Sequence, residues 1–159
     1  MQNSPETRIH KNAVKAWRIT TGLSGLLWFI PLGFYILLTL QSGISWLYFG
    51  LITAVCLIMY ILSIILIPSI RWERWRYDVS DQEIDLLRGI IIRKRTLVPI
   101  NRIQHVDTRQ GPLYRKFELS SVTVSTAATT HEIPALDDRT AEDLRDKISV
   151  LVRKVKEDV

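Results

Sequence analysis

The stretch that decides the architecture runs from Ile19 to Ile70, ITTGLSGLLWFIPLGFYILLTLQSGISWLYFGLITAVCLIMYILSIILIPSI, 52 residues without an Asp, Glu, Lys, Arg or His. All 21 basic and 16 acidic residues of the 159-residue chain lie outside it. A charge at the bilayer centre costs about 2.5 to 3.5 kcal/mol on insertion scales, so a run this long and this free of charge reads as membrane-spanning. A hydrocarbon core about 30 Å thick needs ~20 helical residues. The run therefore holds two spans, about 19–40 and 44–67, joined at its most polar step, Gln41-Ser42-Gly43.

The flanks give the orientation. Arg8, Lys11, Lys15 and Arg18 stand against Glu6 before the first span, and Arg71, Arg74 and Arg76 against Glu73 after the second. By the positive-inside rule both termini are expected in the cytoplasm of a multi-pass plasma-membrane protein, with a short uncharged turn outside. Trp17, Trp46, Tyr48, Trp72 and Trp75 fall near the water boundaries, and with Arg18, Arg71 and Arg74 they are the expected interface anchors. The first apolar stretch is too long for a cleaved signal peptide. Cys56 is the only cysteine and sits inside the second span, which leaves no disulfide framework or cysteine metal pair.

Residues 1–18 form a basic cytoplasmic segment, 19–70 the hairpin, and 71–159 a small water-facing domain. Within the last, Trp75 to Val79 and Glu83 to Arg88 alternate apolar and polar residues around a Ser80-Asp81-Gln82 turn. Gly89 punctuates, Ile90 to Leu97 reads as a third, β-branched strand, and Arg102 to Thr108 as a fourth. After Gln110-Gly111-Pro112, the stretch Leu113 to Leu119 fits either a turn or a single helical turn; Val122 to Ser125 and His131 to Ile133 are again strand-like. Then the period changes. Ala141, Leu144, Ile148, Leu151, Val152 and Val155 recur at three- and four-residue steps, an amphipathic helix that Asp137 or Asp138 can cap. Antiparallel strands followed by one such helix predict a small barrel or sandwich with the helix over an open end.

The segment VPINRIQHV (98–106), followed by QGPLYRKF (110–117) and by Thr126-Ala127, all behind a two-span hairpin, resembles the YdbS-like family of bacterial membrane proteins with a pleckstrin-homology (PH)-like domain. The resemblance runs from Trp17 to the C-terminal helix. It implies a two-helix transmembrane hairpin followed by an all-β, seven-stranded PH-like barrel capped by a C-terminal α-helix. It also implies pairing with a larger membrane protein that carries related domains, and a role in envelope defence against antimicrobial peptides. Two positions depart from the family's usual pattern: Glu118 stands where glycine commonly follows the aromatic residue, and Ala128 where glycine often follows Thr-Ala.

Neither the residues nor the resemblance supplies an enzyme. His10, His105 and His131 are dispersed, and the sequence holds no HExxH, CxxC, GxSxG or glycine-rich phosphate loop. No cofactor or metal is expected, and the near balance of 17 basic against 15 acidic residues in 71–159 gives no nucleic-acid signature. What remains is recognition. Arg93, Arg95, Arg102, Arg109, Arg115 and Lys116 are the candidate basic face, with alternation putting Arg93 and Arg95 on one side of a strand. Its ligands would be the anionic headgroups of the lipid bilayer; the competing reading is a solvated sheet exterior partly neutralised by Asp85, Asp107 and Glu118. The leading expectation is a non-catalytic interaction module that assembles with a membrane partner or with itself. The alternatives are a small accessory subunit of a transporter or export complex, and an anionic-lipid sensor. With no ionisable residue in the spans to mark a pathway, the sequence disfavours transport.

Overall fold

The computed structural model describes residues 5–42 and 46–157. They divide into two compact units, residues 17–69 and, from both flanks, residues up to 16 together with 70–159.

The first unit is helical. Helix α1 (Asn12–Gly25) begins seven residues before the apolar run and passes through a 3-10 turn, Leu26–Phe29, into α2 (Ile30–Ser42). Pro31 has no amide hydrogen to offer the Leu27 carbonyl four residues back, which instead accepts from the Ile30 N–H in the tightened turn. The expected connector begins at the end of α2, while Gly43 and Ile44 lie outside the described residues. Helix α3 (Trp46–Arg74) follows without a break, Pro68 included. None of its most apolar 18-residue window is buried, the reverse of a core helix in a water-soluble protein. Tyr60 ties the helices together: its hydroxyl donates to the Gly22 carbonyl at 2.8 Å and its ring meets Phe29 edge-on at 5.3 Å. A Cβ on Gly25 would stand 2.5 Å from the Tyr60 ring, so this glycine permits the close approach, whereas Gly50 has no neighbour within 4 Å.

The second unit holds two antiparallel sheets and a helix. The first sheet has the order β1 (Thr7–Arg8), β2 (Arg76–Val79), β3 (Glu83–Arg88), β4 (Lys94–Pro99); the second has β5 (Ile103–Arg109), β6 (Leu119–Thr126), β7 (Thr130–Asp137). Strand β1 comes from the N-terminal basic segment, Thr7 facing Tyr77 and Arg8 facing Arg76. The register of the first sheet stacks Tyr77 on Leu86 and both Val79 and Val98 on Ile84, so one face is continuously apolar and buried. Helix α5 (Asp138–Glu157) packs against β5, β6, β7 and the 3-10 turn Ile100–Arg102 through Ala141, Leu144 and Ile148, the inner half of the stripe read from the sequence.

This is the architecture of a PH-like fold, with one correction: the barrel does not close. Strand pairing stops at β4, because Ile100–Arg102 turns out of the ladder and buries Ile100 before β5 starts the second sheet. A backbone bond from His10 N–H to the Ala135 carbonyl, 3.0 Å, links the segment after β1 to β7. Ala135, at φ 52°, sits where Pro134 and Ala135 together oppose Ser121, a bulge that exposes that carbonyl to His10.

A second correction concerns the third strand. It spans Lys94–Pro99, and Ile90 to Arg93 form the turn before it. Gly89 has φ +127°, and a Cβ there would lie 1.9 Å from the Ile92 carbonyl oxygen, so the chain doubles back before the isoleucines can pair. The ambiguous stretch after Gly111 is the short helix α4 (Pro112–Lys116).

Glu118 follows that helix at φ 54°, with its N–H directed at the Arg115 carbonyl, the left-handed position that ends many helices and suits glycine. A side chain there costs about 1 kcal/mol. Glu118→Gly is therefore expected to raise the thermal midpoint of the detergent-solubilised chain by about 4 to 8 °C for each kcal/mol relieved. A fall in the midpoint would show that the Glu118 side chain contributes more than its backbone costs. Ala128, the other departure from the family pattern, has no positive φ and carries no such strain.

Candidate functional site

The six basic residues singled out in the sequence are spread over five segments. Arg93 lies in the β3–β4 turn, outside the strand whose alternation was to pair it with Arg95. Arg95 is on β4, and its guanidinium grips the buried Asp85 carboxylate in a fork, Nη2 to Oδ2 at 2.6 Å and Nε to Oδ1 and Oδ2 at 3.1 and 2.9 Å. The two are diagonal neighbours across the β3–β4 ladder, and the carboxylate holds the Arg95 proton more firmly than usual. Arg102 stands on the 3-10 turn, Arg109 ends β5, and Arg115 and Lys116 end α4, all four exposed.

Among the described residues of this unit, two of the clefts each receive one of these arginines. The larger, about 700 Å³, lies at the corner where the sheets fail to join, walled by β4, the Arg102 turn and the Ala127-Ala128 hairpin. His131 faces it. Its Nε2 is 2.9 Å from Thr129 Oγ1, and its buried Nδ1 has no hydrogen-bond partner among the described residues. Burial first, then the positive charges of Arg88 and Lys94, hold this imidazole below its usual pKa and favour the neutral form. A neutral imidazole with one nitrogen unused can donate or accept a single hydrogen bond, and among the residues lining the cleft there is no carboxylate to orient it against the Thr129 hydroxyl. The smaller cleft, about 240 Å³, includes Arg109, Ser120 and Asp138. Asp138 Oδ1 accepts from Ser120 Oγ at 2.7 Å and from Gln110 Nε2 at 2.9 Å, which fixes the start of α5 to β6. That arrangement positions a helix: the Asp138 carboxylate is shared between the two donors, and no histidine is among the residues lining this cleft.

The expected interface anchors divide between the units. In the helical unit, Trp17 is buried, Arg18 Nη2 lies 3.4 Å from Ser69 Oγ, and Trp46 is exposed and edge-on to Phe49. In the domain, Trp75 is a core side chain with 4% of its surface exposed, and the Trp72 indole N–H donates to the Ile9 carbonyl at 3.0 Å while Arg8 stacks over its ring. Arg71 is exposed, and Arg74 Nη1 donates to the Ile90 carbonyl.

Sequence reading overlooked the tip of the β3–β4 hairpin. Ile91 and Ile92 are 91% and 81% exposed, between Arg88, which faces Lys94 in the ladder, and Arg93. The available signal was Gly89 ahead of three isoleucines, bracketed by basic residues.

Residues 21–152 match the family model described as the bacterial PH domain. Along its whole length the chain is 40% identical to the transmembrane protein YdbS of Bacillus subtilis (strain 168), an alignment covering 100% of both chains. It is 25% identical over 107 residues to the transmembrane protein YdbT of the same organism, covering 67% of this chain and 21% of that much longer one. No solved structure matches.

Proposed function

Because the chain belongs to the bacterial PH-domain family, we propose that this membrane protein is a non-catalytic module whose PH-like domain assembles with a larger membrane protein of related build at the cytoplasmic face. The observation that carries the reading is the pairing of Thr7-Arg8 with Arg76-Tyr77. It makes the domain from chain on both sides of the apolar run, so the domain is held at two points and not on one flexible leash. A platform fixed in this way loses less orientational freedom when a neighbour in the same membrane docks on it. Strands that share a ladder must occupy one compartment, which supports an even number of crossings, and the flanking basic residues favour the cytoplasm. The likeness of 107 residues to part of YdbT supports a partner carrying a related domain. Envelope defence against antimicrobial peptides is the process that the family resemblance suggests.

The test is purification of the tagged full-length chain from its native membrane in mild detergent, with the copurifying chains identified and their ratio measured. A larger transmembrane protein with PH-like sequence is expected at fixed stoichiometry. A chain that elutes alone at its own mass under conditions that preserve other membrane complexes would sink the reading.

A further inference from the structure

We infer that the tip of the β3–β4 hairpin is a second, shallow membrane contact, in which Ile91 and Ile92 enter the headgroup–acyl boundary of an anionic bilayer while Arg88, Arg93 and Lys94 hold its phosphates. Such a contact needs no protein partner. The two isoleucines are more exposed than Leu47, at 72% the most exposed large apolar side chain among the described residues of the helices. They are also presented by a built turn. Gly89 takes a φ of +127° that lets the Ile92 carbonyl close over it, Arg88 and Lys94 form the last pair of the ladder, and Arg74 ties down the Ile90 carbonyl.

The Arg74 bond links the tip to the stretch that follows the apolar run. Arg74 follows Ile70, the last residue of the uncharged run, by four residues, a helical rise of about 6 Å. The loop is thus bonded to a residue four positions beyond the apolar run in the sequence. Charge points the same way. From Leu86 to Val106 the sequence holds no acidic residue, and Arg95, its one cation in the Asp85 fork, leaves Arg88, Arg93 and Lys94 around the tip. Apolar residues flanked by basic ones are the pairing that binds an anionic interface, each signal weak alone and effective together. The permanent tether of the helices supplies the high local concentration that a weak contact needs. Two side chains fall well short of the ~800 Å² per partner typical of a stable protein interface, which favours fluid lipid as the occupant.

The test uses the full chain, with Cys56 replaced by serine, reconstituted in vesicles of equal parts phosphatidylcholine and phosphatidylglycerol. An environment-sensitive fluorophore is attached at Ile92→Cys or, for comparison, at Thr140→Cys on the exposed side of α5. The label at 92 is expected to emit to the blue of the label at 140 and to be quenched by lipids carrying a nitroxide near the headgroup. Both effects should be lost when Arg88, Arg93 and Lys94 are changed together to serine. Two results overturn the inference: a label at 92 as water-exposed as that at 140, or a blue shift that grows with protein density and resists lipid quenching, which assigns the tip to a protein contact. Because labelling could disturb the turn, a second measurement leaves the tip free of label: tryptic cleavage at Arg93-Lys94 in open membrane sheets should accelerate several-fold in an Ile91→Asn/Ile92→Asn variant. Unchanged cleavage counts against membrane seating.

Discussion

Alanine at position 89 is expected to lower the thermal midpoint of the detergent-solubilised chain by about 10 °C or more, read from the β-sheet signal in far-ultraviolet circular dichroism. The new Cβ would lie 1.9 Å from the Ile92 carbonyl oxygen and 2.9 Å from its carbon, both backbone atoms that no rotamer change can move aside. The φ of +127° adds strain of about 1 to 3 kcal/mol for any side chain, and overpacking a further 1 to 3. For a domain of this size each kcal/mol shifts the midpoint by about 4 to 8 °C. Gly111→Ala is the matched control. That glycine has ordinary dihedrals and no atom within 4 Å of its missing Cβ, so its midpoint should stay close to that of the parent. Equal behaviour of the two variants would refute the built turn.

The second large effect is expected at Ile148→Ala. Ile148 is fully buried on the inner face of α5, and removing its outer carbons leaves a cavity where the helix meets the second sheet. Large-to-small substitutions of this kind cost about 2 to 5 kcal/mol. Val150, two residues on and 62% exposed, provides the comparison: Val150→Ala removes apolar surface that water already reaches and should change stability by no more than about 0.5 kcal/mol. A domain that tolerates both changes equally does not depend on α5 for its core.

The elements that could be read in advance are those whose pattern is local and repeated. The apolar run announced the helices, Glu83 to Arg88 alternated over the residues that form β3, and the stripe from Ala141 to Ile148 placed the inner face of α5. What escaped was decided at a distance or by a single dihedral angle. Thr7-Arg8 is too short to show any period, and it is a strand only because Arg76 and Tyr77 come to lie beside it. Ile90 to Ile92 have high strand propensity, yet the turn at Gly89 fixes where they fall. The candidate basic face dispersed for a related reason. Alternation holds only inside a strand, so once Arg93 left β4 its expected kinship with Arg95 went with it, and the buried carboxylate that claims Arg95 was visible beforehand only as one acid among several.

The order in which the chain is synthesised gives the first sheet another role. Thr7 and Arg8 leave the ribosome ahead of either apolar helix, and the residues they must meet, 70 positions later in the case of Thr7 and Tyr77, emerge only after both. Left to chance, closing so long a loop is entropically costly. The two apolar helices, held side by side by Tyr60 against Gly22 and Phe29, return the ends to one another and remove much of that cost. A nascent chain with one helix left uncrossed would hold its first strand on the wrong side of the membrane, with Ile9 uncovered and the edge of β2 unpaired. Completion of the sheet therefore requires both ends of the apolar run on one side of the membrane.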